Sequence, residues 1–401
     1  MPPILEVKMM RILLLLLTIL VLFSCKQQEA LVAMADRSLQ LAEKQYKMLD
    51  AAVDTIEGVV PKTYSGKRVR TAVPKSWICG FYPGTLWYLY ENSRNDSLRL
   101  LAEKYTKRIE DAKNQKWTHD LGFMIHCSYG NGYRLTGNPY YLEVMKTATE
   151  NLASRFNERI GVIQSWGARP KWQYPVIIDN MMNLEMLEYM SRKTGNKRYD
   201  EIARSHADRT MEHHFRKDNS CYHVVSYEKE TGLPHAKNTH QGYSDSSAWS
   251  RGQAWALYGY TMMYRETNDK RYLQQAVRVA EYLTEHPKMP KDKVPYWDFD
   301  APTEPKVYRD ASAAAIMASA LLELGKYDSR NGKRWRKYAI AQLRSLSSPA
   351  YQAEEGTNGG FILKHSVGNL NKRSEVDVPL TYADYYYVEA LSRLKKILNE
   401  E

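Results

Sequence analysis

The chain has 401 residues, of which 43% are hydrophobic and 26% charged, and its formal net charge is +11. This composition is typical of a globular protein and excludes a disordered or low-complexity chain. A basic protein suits an anionic partner, either nucleic acid or an acidic polysaccharide. The sequence contains no Lys/Arg-rich arm and no nucleic-acid-binding motif, so nucleic acid is not expected as a partner.

The N-terminus has the pattern of an export signal. Lys8 and Arg11 precede an apolar run at residues 12–23, which is short for a membrane span. The sequence Leu-Phe-Ser-Cys ending at Cys25 resembles a bacterial lipobox, in which the cysteine is lipidated. We expect a lipoprotein signal peptide in residues 1–24, membrane attachment only through the lipid, and a periplasmic location in a Gram-negative envelope. An ordinary signal with a chance cysteine is the alternative.

Three further cysteines, Cys79, Cys127 and Cys221, lie far apart in the sequence. The chain has neither CxxC nor a Cys/His spacing typical of metal ligands, so no metal site is expected. It also lacks HExxH, GxSxG and a phosphate-binding glycine loop, and no cofactor is expected. The three cysteines are either buried thiols or, for two of them, a disulfide.

Helical patterns fill the chain after the signal and are separated by five similar turns. The turns are SRNDSL from Ser93, TGNPYY from Thr136, TGNKRY from Thr194, TNDKRY from Thr267 and, more loosely, SRNGKRW from Ser329. Glycine and asparagine are typical of helix ends. Amphipathic patterns with charged faces follow the turns, as in residues 141–152 and 272–283.

A less charged helix precedes each turn, and a sixth such helix ends the chain. These six patterns start at Gly84, Leu121, Asp179, Gly252, Ser312 and Tyr382. A helix that is apolar all round is buried, whereas one with a charged face lies outside. Six buried helices alternating with outer ones predict an all-α fold, a closed (α/α)6 barrel of six hairpins forming one domain over residues 25–401. An open superhelical solenoid is the structural alternative.

Polar residues lie near the N-terminal ends of these inner helices. They are Asp120, Asp179, Arg251, Asp310 and Asp384. Parallel inner helices bring these ends to one mouth, where positive helix ends favour an anionic ligand. Asp179, which heads the pattern DNMMNLEMLEYM, is either a helix N-cap or a catalytic acid, and Asp120 has the same two interpretations. Two carboxyl groups at one mouth suit acid/base chemistry, because proximity raises the pKa of one of them.

The segment THQGYSDSSAWSRGQAW, from Thr239, concentrates groups that bind sugars or carboxylates. Its candidate ligands are His240, Gln241, Trp249, Arg251 and Trp255. Arg251 can bind a carboxylate through two parallel hydrogen bonds, or it can tie down a loop by donating to carbonyls. The two tryptophans offer faces for stacking. His223, in CYHVVSY, is either a further ligand or a core histidine.

From about Trp77 to its end, the chain resembles the unsaturated glucuronyl hydrolases, glycoside hydrolase family 88. The matching segments, in order, are GFYPGTLWYLYE, HDLGF, IIDNMMNLE, AWSRGQAW, PYWDFDAP and SEVDVPLTYADYYYVEAL. The family fold is a six-hairpin α/α barrel. Its substrates are products of polysaccharide lyases, which leave a C4=C5 double bond in the terminal uronate. The enzymes protonate C4 and add water at C5, and the resulting hemiketal opens and releases the next sugar.

The resemblance implies a role for each candidate residue. Asp179 matches the acid/base of the family, and Asp120 matches the second carboxylate, which positions the uronate and tunes its partner. The implied substrate-binding residues are His223, Gln241, Arg251 and Trp255. His240 is a further candidate donor from the segment that begins at Thr239. Arg251 is the implied partner of the uronate carboxylate. Trp249, Tyr82 and Trp87 are the implied stacking surfaces, although Tyr82 stands where a tryptophan is expected.

The expected substrates are unsaturated uronate oligosaccharides from chondroitin, hyaluronan or heparin. Lys372 and Arg373, in the loop at residues 364–377, are predicted to meet a sulfate or carboxylate on the second sugar. A solvated basic loop is the alternative. Two other functions remain open: an unsaturated rhamnogalacturonyl hydrolase acting on pectin fragments, and a non-catalytic, lipid-anchored carbohydrate-binding protein.

Overall fold

A computed structural model describes the backbone of residues 3–56, 58–303 and 307–400 and, except for residues 3–25 and 27, their side chains. The signal peptide predicted for residues 1–24 and the lipidation predicted for Cys25 therefore lie outside the fully described residues. Within the described part of the chain, no helix is both long enough and apolar enough to cross a membrane.

The described ranges form twelve α-helices. They are α1 (Pro3–Val53), α2 (Phe81–Ser93), α3 (Asp96–Arg108), α4 (Asn131–Thr136), α5 (Pro139–Ala153), α6 (Leu184–Thr194), α7 (Lys197–His213), α8 (Ser250–Thr267), α9 (Lys270–Glu285), α10 (Ala311–Tyr327), α11 (Gly332–Leu346) and α12 (Thr381–Glu400). A π-helix, Gly122–Gly130, leads into α4, and a 3-10 helix, Ile178–Asn183, leads into α6.

The even-numbered helices form a closed inner ring. The π-helix is taken together with α4, and the 3-10 helix together with α6. Each inner helix then contacts the next one around the ring, and α12 closes the ring by contacting α2. The odd-numbered helices pack outside this ring, with α1 lying against both α12 and α2. The contact between the first and last inner helices excludes the open solenoid. The predicted all-α barrel of six hairpins is confirmed.

Side-chain burial separates the two layers of helices. In the inner helix α10, every residue from Ala311 to Leu324 is buried. In the outer helix α9, only Tyr272, Gln275, Ala276, Val279, Ala280 and Leu283 are buried, at the three- and four-residue spacing of a one-sided helix. Burial of these apolar faces supplies the main favourable free energy of folding.

The predicted turns close one end of the barrel. Arg94, Gly137, Gly195 and Asn268 have left-handed backbone conformations, with φ of 56°, 67°, 74° and 55°. The side chain of the next residue then caps the outer helix by accepting a backbone N–H two positions on, as Asn138 does from Tyr140 at 3.0 Å. The fifth turn differs, because Asp328 accepts the N–H groups of Arg330 and Asn331.

Short strands lie in the long connections at the other end, which we call the mouth. In the described ranges they are β1 (Val60–Ser65), β2 (Arg68–Ala72), β3 (Phe156–Asn157), β4 (Val162–Ile163), β5 (Tyr174–Ile177), β6 (Val224–Tyr227), β7 (Pro234–Asn238), β8 (Ser366–Asn369) and β9 (Ser374–Val378). Strands β5, β6 and β7 form an antiparallel sheet in which Ile177 pairs with Val224 and Val224 with Asn238. This sheet fixes the backbone that leads directly into Asp179.

The cysteines at positions 79, 127 and 221 are all free and buried. Burial raises the pKa of each thiol above its ordinary value. Of the two possibilities left by the sequence, these three residues are buried thiols, which act as small apolar side chains.

Candidate active site

Two inner helices approach closely at the mouth because a glycine lies at their point of contact. A Cβ atom on Gly122 would lie 2.7 Å from the Cα of Asn183, so no larger residue fits without displacing backbone. The side-chain oxygen of Asn183 accepts the backbone N–H of Phe123 at 3.1 Å. Asp120 precedes this contact on one helix and Asp179 precedes it on the other. The Gly122–Asn183 contact therefore brings the two carboxyl groups to one region of the mouth.

Asp179 lies in the first turn of the 3-10 helix and is only 8% exposed. Burial, aided by the charge of Asp120, raises the pKa of its carboxyl to about 7 against the opposing effects of Arg251 and Trp255. A carboxyl with this pKa is partly protonated at neutral pH and can both donate and accept a proton. The N-cap residue of this helix is Ile177 and Asp179 lies inside the first turn, so the N-cap interpretation is wrong.

His223, the residue just before strand β6, faces Asp179. Its Nδ1 accepts the backbone N–H groups of His240 and Gln241 at 3.2 and 3.1 Å. The other ring nitrogen, Nε2, lies 3.7 Å from Oδ2 of Asp179. Burial, followed by the charges of His240 and Arg251, lowers the pKa of His223 well below its ordinary value. The ring is therefore neutral, with its proton on Nε2 and directed to the carboxyl of Asp179.

Asp120 is held at the start of the adjacent inner helix by its own neighbours in the sequence. Its Oδ2 accepts the hydroxyl of Thr118 at 2.6 Å, and its Oδ1 lies 3.2 Å from Nε2 of His119. His119 is buried, and burial lowers its pKa, so it is a neutral partner. Asp120 remains more accessible than Asp179, with 19% of its side chain exposed.

Arg251 is buried at the start of α8 and is fully engaged through its two terminal nitrogens. Nη1 lies 3.1 Å from Asp310 and also donates to the carbonyl of Val367, and Nη2 donates to the carbonyl of Gly368 at 2.8 Å. These contacts agree with the alternative interpretation, in which Arg251 ties down a loop by donating to backbone carbonyls. Although burial opposes it, Tyr382, Asp310 and Asp179 raise the pKa of Arg251, which keeps its positive charge next to the acid.

Four buried polar atoms at this point have no hydrogen-bond partner among the described residues. They are Oδ2 of Asp179, Nε2 of His223, Nε of Arg251 and Nε1 of Trp255. An unpartnered buried polar group costs about 1–3 kcal/mol, so native proteins rarely retain several together without a function. One acceptor and three donors are thus available to a bound molecule.

Trp249 and Trp255 do not offer open faces. Trp249 is 2% exposed and its ring is stacked on that of His223 at 4.4 Å, with the guanidinium of Arg251 also against it. Trp255 is fully buried, with Phe123 and Tyr386 at 5.2 and 5.3 Å. The prediction that they stack on sugar is wrong in both cases. Trp249 supports His223 and Arg251, and Trp255 presents its indole N–H.

The stacking roles predicted for Tyr82 and Trp87 are also wrong. The ring of Tyr82 is stacked on Tyr46 of α1, and its hydroxyl donates to the backbone carbonyl of Tyr46 at 3.2 Å. Trp87 donates its indole N–H to Thr106 of α3 at 3.0 Å. Both side chains are completely buried between the inner and outer layers, where they pack helices together.

Two of the five polar residues near the helix starts have structural contacts. Asp310 caps α10 by accepting the N–H of Ser312, and it also neutralises Arg251. Asp384 lies inside the first turn of α12 and accepts the N–H groups of Ile362 and Leu363 at 2.9 and 2.8 Å. It therefore holds the connection between α11 and α12 rather than facing a ligand.

The outer edge of the mouth carries the remaining candidates. The side-chain amide of Gln241 donates to the carbonyl of Gly368, the same carbonyl that Arg251 holds. His240 is half-buried, and burial, followed by Lys372, lowers its pKa to about 4. Lys372 and Arg373 are exposed in the β8–β9 loop, which is attached to the neighbouring loop by a hydrogen bond from Asn371 to the carbonyl of Gly242.

The fold brings to the mouth three further groups that are not among the residues predicted from the sequence. His119 contacts Asp120, and the rings of Trp166 and Trp172 each lie 5.6 Å from that of His240. The adjacency of His119 to Asp120 in HDLGF was a usable signal. The two tryptophans lie in an irregular stretch between helices, where the helical periodicity carries no information. Among the described residues, no cluster of His, Cys, Asp or Glu is arranged to hold a metal ion.

A barrel mouth with a carboxyl of raised pKa beside a second carboxyl and a buried arginine has the arrangement of an acid/base enzyme. The profile of Glycosyl Hydrolase Family 88 matches residues 52–395. An unsaturated glucuronyl hydrolase from Formosa agariphila is 44% identical over 326 residues, 81% of each chain. An unsaturated chondroitin disaccharide hydrolase from Streptococcus pneumoniae is 35% identical over 80% of this chain and 83% of its own.

Solved structures agree with these sequence matches. The crystal structure of an unsaturated glucuronyl hydrolase specific for heparin has 46% sequence identity and a TM-score of 0.86, and the match covers 90% of this chain and 98% of the other. The chain therefore belongs to Glycosyl Hydrolase Family 88 and is a glycoside hydrolase.

Proposed function

We propose that this hydrolase removes the terminal 4,5-unsaturated uronate from glycosaminoglycan oligosaccharides produced by polysaccharide lyases. The reaction adds water across the C4=C5 vinyl ether, and the hemiketal at C5 then opens and releases the next sugar. The observation that carries the proposal is the buried carboxyl of Asp179, whose pKa burial raises to about 7, beside a second carboxyl at the mouth of the barrel.

The chemistry requires a proton donor before it requires a base. A vinyl ether is a weak base at carbon, so a positioned acid contributes about 10²–10⁴-fold to its rate of protonation. Asp179 donates a proton to C4, and its carboxylate then accepts the proton of the water that attacks C5. An ordinary glycosidase instead places two carboxyl groups across the scissile bond, one as acid and the other as nucleophile or base.

The surrounding groups have supporting roles. Asp120 keeps the pKa of Asp179 high and positions the sugar, and the Nε2 proton of His223, 3.7 Å from the Asp179 carboxyl, orients that carboxyl when the gap closes to a hydrogen bond. Arg251 provides the positive charge near the uronate carboxylate, and Gln241, His240 and Trp255 provide further polar contacts. Because both terminal nitrogens of Arg251 are occupied, its attraction for the uronate acts mainly through charge.

The substrate class follows from the relatives and from the charge of the mouth. The relatives are named for unsaturated glucuronyl and unsaturated chondroitin disaccharide substrates, and the 46% identical solved structure is described as specific for heparin. Unsaturated disaccharides of heparin are therefore included among the expected substrates, beside those of chondroitin and hyaluronan. Lys372 and Arg373 are proposed to meet a sulfate or carboxylate on the second sugar.

A panel of unsaturated disaccharides tests this function. Rates are followed by the loss of ultraviolet absorbance of the C4=C5 bond, with sulfated and unsulfated products of chondroitin, hyaluronan and heparin. An unsaturated rhamnogalacturonan fragment represents the pectin alternative. Turnover of the glycosaminoglycan products and not of the pectin fragment supports the proposal, and the reverse pattern overturns it. If the rates on sulfated and unsulfated products are equal, and K372A/R373A leaves them unchanged, the loop that carries Lys372 and Arg373 has no role in substrate recognition.

We also propose that the protein is a lipoprotein of a Gram-negative envelope, attached through Cys25 and located in the periplasm. The proposal is supported by the sequence Leu-Phe-Ser-Cys after an apolar run. Expression with labelled palmitate is expected to label the wild type in the membrane fraction, and Cys25→Ser is expected to remain unlabelled. A labelled Cys25→Ser variant would refute the assignment.

A further inference from the structure

The N-terminal helix α1 begins at the closed end of the barrel, where the five turns lie, and runs toward the mouth. The side-chain amide of Gln28 donates to the carbonyl of Leu398 at 2.6 Å, close to the end of α12. Eighteen residues later, the ring of Tyr46 is stacked on that of Tyr82 near the start of α2. At about 1.5 Å per residue, these two contacts are roughly 27 Å apart along the helix. A lipid on Cys25, three residues before Gln28 in the sequence, therefore places the closed end at the membrane.

The turns at the closed end carry an excess of positive charge. Their five segments contain eight lysine or arginine residues and two aspartates. The aspartates, Asp96 and Asp269, each pair with an arginine, at 3.2 and 2.7 Å. Five of the eight basic residues are exposed and form no ion pair within the described part of the chain. We call these five residues the collar: Arg94, Lys197, Lys270, Arg330 and Lys333.

The barrel itself does not need the collar. Lys197 and Lys270 are the first residues of α7 and α9, and Lys333 lies in the first turn of α11. The N-terminal end of a helix is the positive end of its dipole, so a cation there is unfavourable. Exposed cations thus recur in four of the six hairpins without an acidic partner among the described residues. This recurrence points to an anionic partner outside the fold.

The substrate of the active site is not that partner, because the collar lies at the opposite end of the barrel from Asp179. An anionic bilayer is an extended negative surface, and a lipid on Cys25 brings such a surface to the closed end. Each lysine or arginine near an anionic lipid surface strengthens binding about fivefold. This attraction decays over a Debye length, about 8 Å at physiological salt, so the mouth lies beyond the field of the bilayer. Acidic oligosaccharides are then not repelled from the mouth by the membrane.

We propose that the collar binds the anionic phospholipid headgroups of the bilayer in which the lipid on Cys25 is inserted, and that this contact directs the mouth away from the membrane. The proposal rests on the lipoprotein assignment above. It adds an orientation, because a lipid on one residue fixes a point of attachment and not the tilt of the barrel. The collar is therefore a docking surface for a membrane, and it takes no part in the hydration of the substrate.

The experiment uses the lipidated protein in vesicles of phosphatidylcholine, alone or in equal mixture with phosphatidylglycerol, that contain a lipid with a fluorescence quencher on its headgroup. A thiol-reactive fluorophore is placed at the closed end through Ser329→Cys or near the mouth through Val73→Cys. Both positions are exposed, and the native thiols of the barrel are buried. In the vesicles with phosphatidylglycerol, quenching is expected at position 329 and not at position 73. K197Q/K270Q/R330Q/K333Q is expected to lower the ratio of docked to undocked protein at least about 100-fold, and added salt is expected to lower that ratio for the wild-type collar.

The matched control is K67Q/R68Q/K372Q/R373Q, which removes the same charge from exposed positions at the mouth. It is expected to dock as the wild-type collar does, and the collar variant is expected to turn over a soluble disaccharide at the wild-type rate. Equal quenching at position 329 in the two kinds of vesicle, or stronger quenching at position 73, would overturn the collar and leave the lipid anchor standing. Wild-type protein without a lipid on Cys25 would overturn the anchor and the collar with it. The hydrolase function is tested separately, by the disaccharide panel.

Discussion

The Nε2 atom of His223 lies 3.7 Å from the Oδ2 atom of Asp179. Two backbone N–H groups donate to the other ring nitrogen, so the proton of the neutral ring is fixed on the side of the carboxyl. The histidine thus acts as a preset donor, held in place by strand β6 and by the ring of Trp249. A small closure of this gap makes a hydrogen bond that orients Asp179 for proton transfer.

Replacing this donor tests the relationship. His223→Phe keeps a flat ring but removes the N–H, and it is expected to lower kcat about 10–100-fold, the equivalent of one hydrogen bond to a charged group. His223→Gln retains an N–H donor and is expected to recover part of the loss. Steady-state kinetics on an unsaturated disaccharide measure both variants. Wild-type kcat in His223→Phe would show that the carboxyl needs no donor from this side.

The pH dependence of kcat/KM follows from the pKa of Asp179 in the free enzyme, which burial raises to about 7. The reaction begins with the protonated form, so kcat/KM is expected to be high below pH 7 and to fall about tenfold per pH unit well above it. The negative charge of Asp120 contributes to the raised pKa. Asp120→Asn is therefore expected to move the alkaline limb to lower pH, in addition to reducing activity. Asp111→Asn, at an exposed position, is the control. An alkaline limb that Asp120→Asn does not move would contradict the effect of the Asp120 charge on the pKa of Asp179.

Arg251 joins α8 to Asp310 and to two carbonyls of the connection at β8. Arg251→Lys keeps a positive charge but cannot reach all three partners, and it leaves Asp310 poorly paired. We expect it to reduce the free energy of unfolding by about 3 kcal/mol and to lower kcat/KM as well. Asp310→Asn is expected to reproduce the stability loss, since it leaves the same arginine unpaired. Denaturant unfolding and kinetics on both variants check this, and unchanged stability in both would refute the bridge.

Asp384 is expected to matter for stability and not for chemistry. Its carboxylate accepts two backbone N–H groups, of Ile362 and Leu363, which Asp384→Ala leaves buried without partners. The expected loss in the free energy of unfolding is about 2–4 kcal/mol. Asp96→Ala, which removes an exposed carboxylate from α3, is expected to cost under about 1 kcal/mol. Equal unfolding free energies for the two variants would contradict the structural role of Asp384.

The architecture could be predicted from the sequence because the barrel repeats one local pattern of helix ends and helix caps. Four of the six inner helices end at a residue in a left-handed conformation, and the next side chain caps the outer helix, as Gly195 and Asn196 show. These are short-range interactions, so they leave a sequence pattern. Closure of the ring depends on contacts between α2 and α12, distant in sequence, and the solenoid alternative was excluded only by the structure.

The candidate site was only partly predictable. The helix pattern placed Asp120 and Asp179 near helix starts, but it did not show which face of α2 its aromatic residues occupy. Tyr82 and Trp87 were assigned to the site and instead face the outer layer. Trp166 and Trp172 were not predicted because their loop has no periodic pattern, and their approach to His240 is a long-range contact.

The central claim is that Asp179 supplies the proton that begins the hydration. Asp179→Asn preserves the shape of the side chain and cannot donate an acidic proton, so the purified variant is expected to fold normally by circular dichroism. Its turnover of an unsaturated glycosaminoglycan disaccharide, followed by loss of the C4=C5 absorbance, is expected to fall at least 10²-fold. Turnover by folded Asp179→Asn at the wild-type rate would contradict the account.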